Sequence, residues 1–243
     1  MIEIKNIVFN PEGTKKILDG ISLTIPDGKL IVLTGPNGGG KTTLAKTIAG
    51  INMPQSGQIL LDGEDITALD PTERAKKGIA FAFQQPVRFK GISVRKLLEL
   101  AAGRKLSEEE LFDVLRDVGV QPELYIDRAV DTKLSGGEIK RIEIATVLLR
   151  KARVMVFDEP EAGIDLWSFN NLIRVFETIR DRRDCSLIVI SHQERILSIA
   201  DEIVMIQNGK VGLSGDRSSI FPRLLCKNDC DERGTCVRFD EKK

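Results

Sequence analysis

The stretch Gly35-Pro36-Asn37-Gly38-Gly39-Gly40-Lys41-Thr42-Thr43 constrains this chain more than any other. The apolar run KLIVLTG (29–35) reads as a buried strand leading into it, and KTTLAKTIAG reads as a helix that stops at Gly50. A glycine-rich turn between strand and helix, closed by lysine and threonine, satisfies the G-x-x-x-x-G-K-[ST] pattern of a phosphate loop in the context that pattern requires. Glycines let backbone N–H groups converge on phosphate oxygens, and the helix N-terminus adds a favourable dipole. Lys41 is expected to reach the β and γ phosphates of a nucleotide, and Thr42 to offer its hydroxyl to Mg²⁺.

The rest of the chain supplies a setting for that loop. Residues 2–9 and 17–25 read as strands with hairpin-like spacing, an antiparallel start. QILLDG and GIAFAF are further strands. From Ser93 to about Val120 the pattern turns helical; Ser93 can cap one helix, and Ser107 with Glu110 forms a capping box for the next. SGGEIKRIEIATVLLRK reads as a long helix. RVMVF then reads as a strand, 166–182 as a helix, SLIVIS as a strand, and EIVMIQ-NG-KVGL as a hairpin on Asn208-Gly209. Alternating strands and helices predict a largely parallel α/β core.

RVMVFDEP (153–160) delivers Asp158 and Glu159 to the C-terminal edge of a strand, where open α/β sheets place their ligands. Asp158 is placed to help hold Mg²⁺. Glu159 is a candidate base that orients and polarises an attacking water.

A phosphate loop by itself fits GTPases, kinases and helicases equally. Leu134-Ser135-Gly136-Gly137-Glu138, about twenty residues before Asp158-Glu159, resembles the signature motif of the ATP-binding cassette (ABC) family. Gln84 resembles that family's Q-loop glutamine, a ligand of Mg²⁺, although Gln85 beside it offers the same chemistry. Ala162-Gly163-Ile164-Asp165 resembles the D-loop and His192, in VISH, the switch histidine. The resemblance covers nearly all of residues 1–215. It implies a P-loop NTPase core of ABC type with an antiparallel β edge near the N-terminus and an inserted helical subdomain. On that reading the chain is one ABC ATPase domain: core at 1–84 and 134–225, helical subdomain at 85–133, and a Cys-containing tail at 226–243. The resemblance further implies hydrolysis of Mg-ATP by Lys41, Glu159 and His192, with Ser135, Gly136 and Gly137 gripping, in trans, the nucleotide of a second copy. Asp165 is expected to organise that interface. Phe9 is either the family's adenine-stacking aromatic or a core residue, and Trp167 and Tyr125 are expected to pack at element ends, Trp167 near the seam between copies.

Within the family, FAFQQPVRFKGIS, Glu138 and SHQERIL are most similar to the SufC-type ATPases of iron–sulfur cluster assembly. That similarity implies a SufB or SufB–SufD scaffold as partner. The alternative is the nucleotide-binding subunit of a membrane transporter, whose permease would dock beside the Q-loop; Pro160 after the acid pair is shared with transporter ATPases. Cassettes acting on ribosomes or DNA are disfavoured by a single cassette and by 36 basic against 36 acidic residues, which give no global field for nucleic acid. With no apolar run of the ~18–20 residues needed to span a bilayer and no signal-like start, a cytoplasmic location is expected. Cys226, Cys230 and Cys236 either ligate a second metal or cluster or are reduced thiols of a polar tail.

Overall fold

The computed structural model describes residues 1–11, 16–89, 91–131 and 133–225; Cys226, Cys230 and Cys236 lie outside the described residues. The chain opens with β1 (Ile2–Phe9), β2 (Leu18–Ile25), β3 (Leu30–Thr34), α1 (Lys41–Ile48), β4 (Ser56–Leu61) and β5 (Glu64–Asp65). It continues with α2 (Pro71–Lys76), β6 (Ile79–Ala82), α3 (Val94–Ala102), α4 (Glu108–Asp117), α5 (Pro122–Tyr125) and α6 (Gly136–Leu149). The last third is β7 (Val154–Asp158), α7 (Leu166–Arg182), β8 (Ser186–Ile190), α8 (Glu194–Ile199), β9 (Glu202–Gln207), β10 (Lys210–Asp216) and α9 (Arg217–Leu225).

The strands form two sheets. The N-terminal sheet has the order β2-β1-β4-β5 and is antiparallel throughout. The larger sheet has the order β10-β9-β3-β8-β7-β6, parallel except where β10 folds back on β9 through Asn208-Gly209. Every residue of β3, β7 and β8 is buried, as a sheet covered on both faces requires. Successive residues nonetheless part company, because side chains alternate across a strand. Ile31, Leu33, Val154, Val156, Ile188 and Ile190 pack with α1 and the antiparallel sheet. Leu30, Val32, Met155, Phe157, Leu187 and Val189 pack with α6, α7 and the helices of the 94–125 region.

Phe9 is partly buried against the first of these cores, which fits its reading as a packing residue. Arg74 is buried there, its guanidinium hydrogen-bonded to main-chain carbonyls. It donates to the carbonyls of Thr47 and Ile48 at 2.6 and 2.9 Å, and to Thr67 and Leu69. Its guanidinium thus closes the C-terminus of α1, where the helix dipole favours a cation. At its other end α1 carries the phosphate loop, so Arg74 braces the site from behind.

The helices begin as their capping residues predict. Ser93 accepts from the Lys96 amide, and the Ser107–Glu110 box is complete. The carboxyl ends of β3, β7 and β8 lie side by side, which brings Thr34, Asp158 and Ser191 to one edge of the sheet.

Candidate functional site

The phosphate loop grows out of β3 and turns directly over the backbone of β9. Gly35 has φ 124°, and a Cβ there would stand 2.2 Å from the Ile206 carbonyl oxygen, so only glycine fits. Pro36, Asn37 and Gly38 form the exposed crest; Gly39 is buried, and Gly40 caps α1. Lys41 is 5% exposed, and its ammonium donates to the carbonyls of Gly35 and Pro36 at 2.8 and 3.0 Å. Burial pushes its pKa down, while Glu159 and Asp158 oppose the shift. Thr43 follows in the first turn, its carbonyl accepting from the Thr47 hydroxyl.

Thr42 Oγ1 donates to Asp158 Oδ1 at 3.0 Å, tying the start of α1 to the end of β7. Asp158 is fully buried and its Oδ2 has no hydrogen-bond partner. Burial raises its pKa, against the pull of the Thr42 bond. A hydroxyl and an orphaned carboxylate oxygen beside a phosphate loop are the oxygen donors that Mg²⁺ takes, so these residues fit that ion.

Glu159 has φ 45°, a left-handed conformation that is sparsely populated outside glycine. Its amide still donates to the Ile190 carbonyl at 3.0 Å, so the chain leaves the sheet only after this residue. Its side chain accepts a 2.6 Å hydrogen bond from Gln84 Nε2. Between the two glutamines, Gln84 is the one that meets the acid pair. His192 stands beyond β8, its Nδ1 3.4 Å from Thr34 Oγ1. Burial chiefly, and Lys41 next, lower its pKa, so its ring is neutral near pH 7.

Ser135, Gly136 and Gly137 open α6. Ser135 accepts from the Glu138 amide, and Glu138 Oε2 accepts from the Ser135 amide at 2.7 Å. Glu138 also accepts from the Tyr125 hydroxyl, and that bond is the leading cause holding its carboxyl below the usual range. Gly137 sits so close to the D-loop that a Cβ would stand 2.7 Å from the Gly163 carbonyl oxygen. Around Gly136, by contrast, nothing lies within 4 Å of such a Cβ. Asp165 caps α7, accepting from the amides of Trp167 and Ser168, and pairs with Arg141 of α6 at 2.9 Å. These bonds hold its pKa at about 2.

The profile of the family described as ABC transporter matches residues 18–162. The chain is an ABC-family ATPase. It is 41% identical over 234 residues to an uncharacterized ABC transporter ATP-binding protein of Methanocaldococcus jannaschii, covering 93% of this chain and 91% of that one. A probable ATP-dependent transporter, ycf16, of Pyropia yezoensis is 35% identical over 88% of this chain and 91% of its own. Among solved structures, the ADP conformation of an ATP-binding cassette of an ABC transporter superposes with TM-score 0.78 at 26% identity, covering 94% and 96% of the two chains. A dimeric post-hydrolysis cassette bound to ADP and Pi shares the fold, with TM-score 0.80 at 21% identity over 89% of this chain and 99% of that one. The expected fold, ATPase class and Mg-ATP chemistry of this ABC ATPase therefore stand. Among the described residues, no helix is long and apolar enough to cross a membrane.

Sequence reasoning missed several residues that shape this ABC site. Lys140 and Glu143 are charged residues inside α6, and a charged helical position reads as a solvated face. Lys140 is nevertheless 0% exposed, and Glu143 is largely covered. Glu161 is half-buried, accepting from the Ser191 hydroxyl with its second oxygen covered and unpartnered. Burial is the main cause of its raised pKa. Their signal was present only as acids and a lysine interrupting apolar periodicity. Trp167 departs from expectation the other way: it is 81% exposed and does not pack at its helix end.

Proposed function

We propose that this ABC ATPase works as two facing copies, each nucleotide held between the phosphate loop of one and Ser135-Gly136-Gly137 of the other, and that turnover drives a membrane permease. The grouping of Lys41, Thr42, Gln84, Asp158, Glu159 and His192 at one sheet edge carries this reading, because it supplies each part that phosphoryl transfer to water needs. The loop amides from Gly35 to Thr43 bind the phosphates, and the Lys41 ammonium balances charge on the β and γ oxygens. Thr42, Asp158 and Gln84 would hold Mg²⁺, which when bound would neutralise phosphate charge. Glu159 orients the attacking water and accepts its proton. His192, neutral at Nε2 or Nδ1, hydrogen-bonds the γ phosphate. Ser135 and the first amides of α6 meet that phosphate from the opposite copy.

The transporter role draws support from the names of the relatives and from an apolar groove of 320 Å³ beside the Q-loop, lined in part by Phe81, Phe83, Val87, Phe89, Leu97 and Leu100. We take residues 85–133 as the helical subdomain that forms one wall of this groove, against a core of 1–84 and 134–225. A second reading, a SufB-type scaffold as partner, is favoured by the FQQPVRF and SHQERIL stretches and by Val87 and Phe89, which stay exposed at the groove rim. Affinity purification of the tagged chain separates the two. Recovery of integral membrane subunits in detergent supports transport; a soluble scaffold carrying an iron–sulfur cluster, with no membrane subunit, overturns it in favour of assembly.

A further inference from the structure

The segment after β6 leaves the sheet at Phe83, and the next described helix is α3. Both main-chain groups of Phe83 are taken by side chains of α6. Its amide donates to Glu143 Oε1 at 3.0 Å, and its carbonyl accepts from Lys140 Nζ. The same ammonium lies 3.3 Å from the Gln84 carbonyl and 3.5 Å from the Asp158 carbonyl. One buried cation thus touches the backbone on both sides of the Gln84–Glu159 hydrogen bond. Glu143 Oε2 stands 3.6 Å from that ammonium and has no hydrogen-bond partner.

A buried ion pair of this kind adds little to stability, since an apolar pair of similar volume is often as good or better. What it adds is a fixed position. Lys140 and Glu143 lie about 6 and 10 Å along α6 from Gly136, at 1.5 Å of rise per residue. The helix whose first turn faces outward therefore grips the Q-loop backbone one and two turns further in.

We propose that Glu143 and Lys140 are positioning residues that hold Gln84 in register with Glu159 and tie that register to the signature helix. The proposal rests on the roles given above to Gln84 and Glu159. Displacement of α6 on meeting a second copy then moves Gln84 and the end of β7 as one body, so the water-activating carboxylate is set only when the site is closed. Neither residue touches the phosphates, and the pair acts through Gln84.

Steady-state MgATP hydrolysis by the full chain tests this in two backgrounds. Glu143→Ala lowers kcat about tenfold with KM unchanged, the loss expected of one charge-assisted hydrogen bond. Glu143→Gln keeps an acceptor for the Phe83 amide and returns kcat to within about twofold of the parent. In a Gln84→Ala background, Glu143→Ala changes kcat by less than about twofold, because coupled positions are not additive. Should Glu143→Ala fail to fold through its unpaired lysine, Lys140→Met/Glu143→Ala removes both buried charges and repeats the pattern, a loss of about tenfold in the parent and of less than about twofold in the Gln84→Ala background. An equal fall in both backgrounds, or a KM that rises in step, overturns the clamp alone. A wild-type kcat for Gln84→Ala overturns the reading of Gln84, and the clamp with it.

Discussion

The phosphate-loop side and the signature side of this ABC ATPase are built on opposite plans. On the first, polar side chains pair within the chain, Lys41 with loop carbonyls, Thr42 with Asp158 and Glu159 with Gln84, and the oxygen left over, Asp158 Oδ2, is buried. On the second, Ser135 bonds to Glu138 and Ile139 of its own helix, Gly136 faces open space, and Leu166 and Trp167 are 67% and 81% exposed just past the D-loop. The first half is a pocket and the second is a face. An exposed apolar face invites another surface, and the difference supports the proposed division of the ATP site between two copies.

The largest expected effect falls on the pocket. Lys41→Ala removes a desolvated cation and its charge-assisted hydrogen bonds, so affinity for a fluorescent ATP analogue drops about a hundredfold while the melting temperature holds. Unchanged affinity in a folded variant would remove Lys41 from the phosphates. The next falls on the face. Gly136→Glu has room in the single copy, and an acid at the first turn suits its helix. ATP binding should therefore stay within about twofold, while hydrolysis falls about a hundredfold through repulsion of the second copy's phosphate. The ATP-induced change in Trp167 emission, present in the parent, should vanish with it. Loss of ATP affinity in this variant would place Gly136 in the pocket and blur the contrast.

How much of this was legible follows the same division. The phosphate loop, Asp158-Glu159, the Ser93 cap and the Ser107–Glu110 capping box could be read because each depends on local geometry: a strand end, a glycine turn, a residue three positions on. Lys140, Glu143, Arg74 and Glu161 could not, because their burial is decided by segments tens of residues away in the chain. The left-handed backbone of Glu159 left no trace in its residue type, since glutamate has no preference for that conformation. Trp167 departs for a related reason: a large aromatic is expected to pack, and this one is 81% exposed among the described residues.

The smallest effect belongs to the bridge between the two halves. Glu161 is half-buried and desolvation raises its pKa, so folding favours its protonated form. That contribution is present below the unfolded carboxyl pKa of ~4.3 and is lost as pH rises through the raised folded value. Glu161→Gln keeps the Ser191 bond and carries no charge at any pH. It should melt higher than the parent at pH 8 and nearly match it at pH 4. A gap that widens toward acid would contradict the burial argument.

Mixing two inactive variants tests the divided site most directly. Lys41→Ala keeps its face and loses its pocket; Gly136→Glu keeps its pocket and loses its face. A heterodimer of the two contains one intact site, formed by the pocket of Gly136→Glu and the face of Lys41→Ala. The account predicts that each variant alone is inactive and that ATP hydrolysis reappears on mixing, with a rate that saturates as the partner is added. A mixture no more active than its two components summed would contradict it.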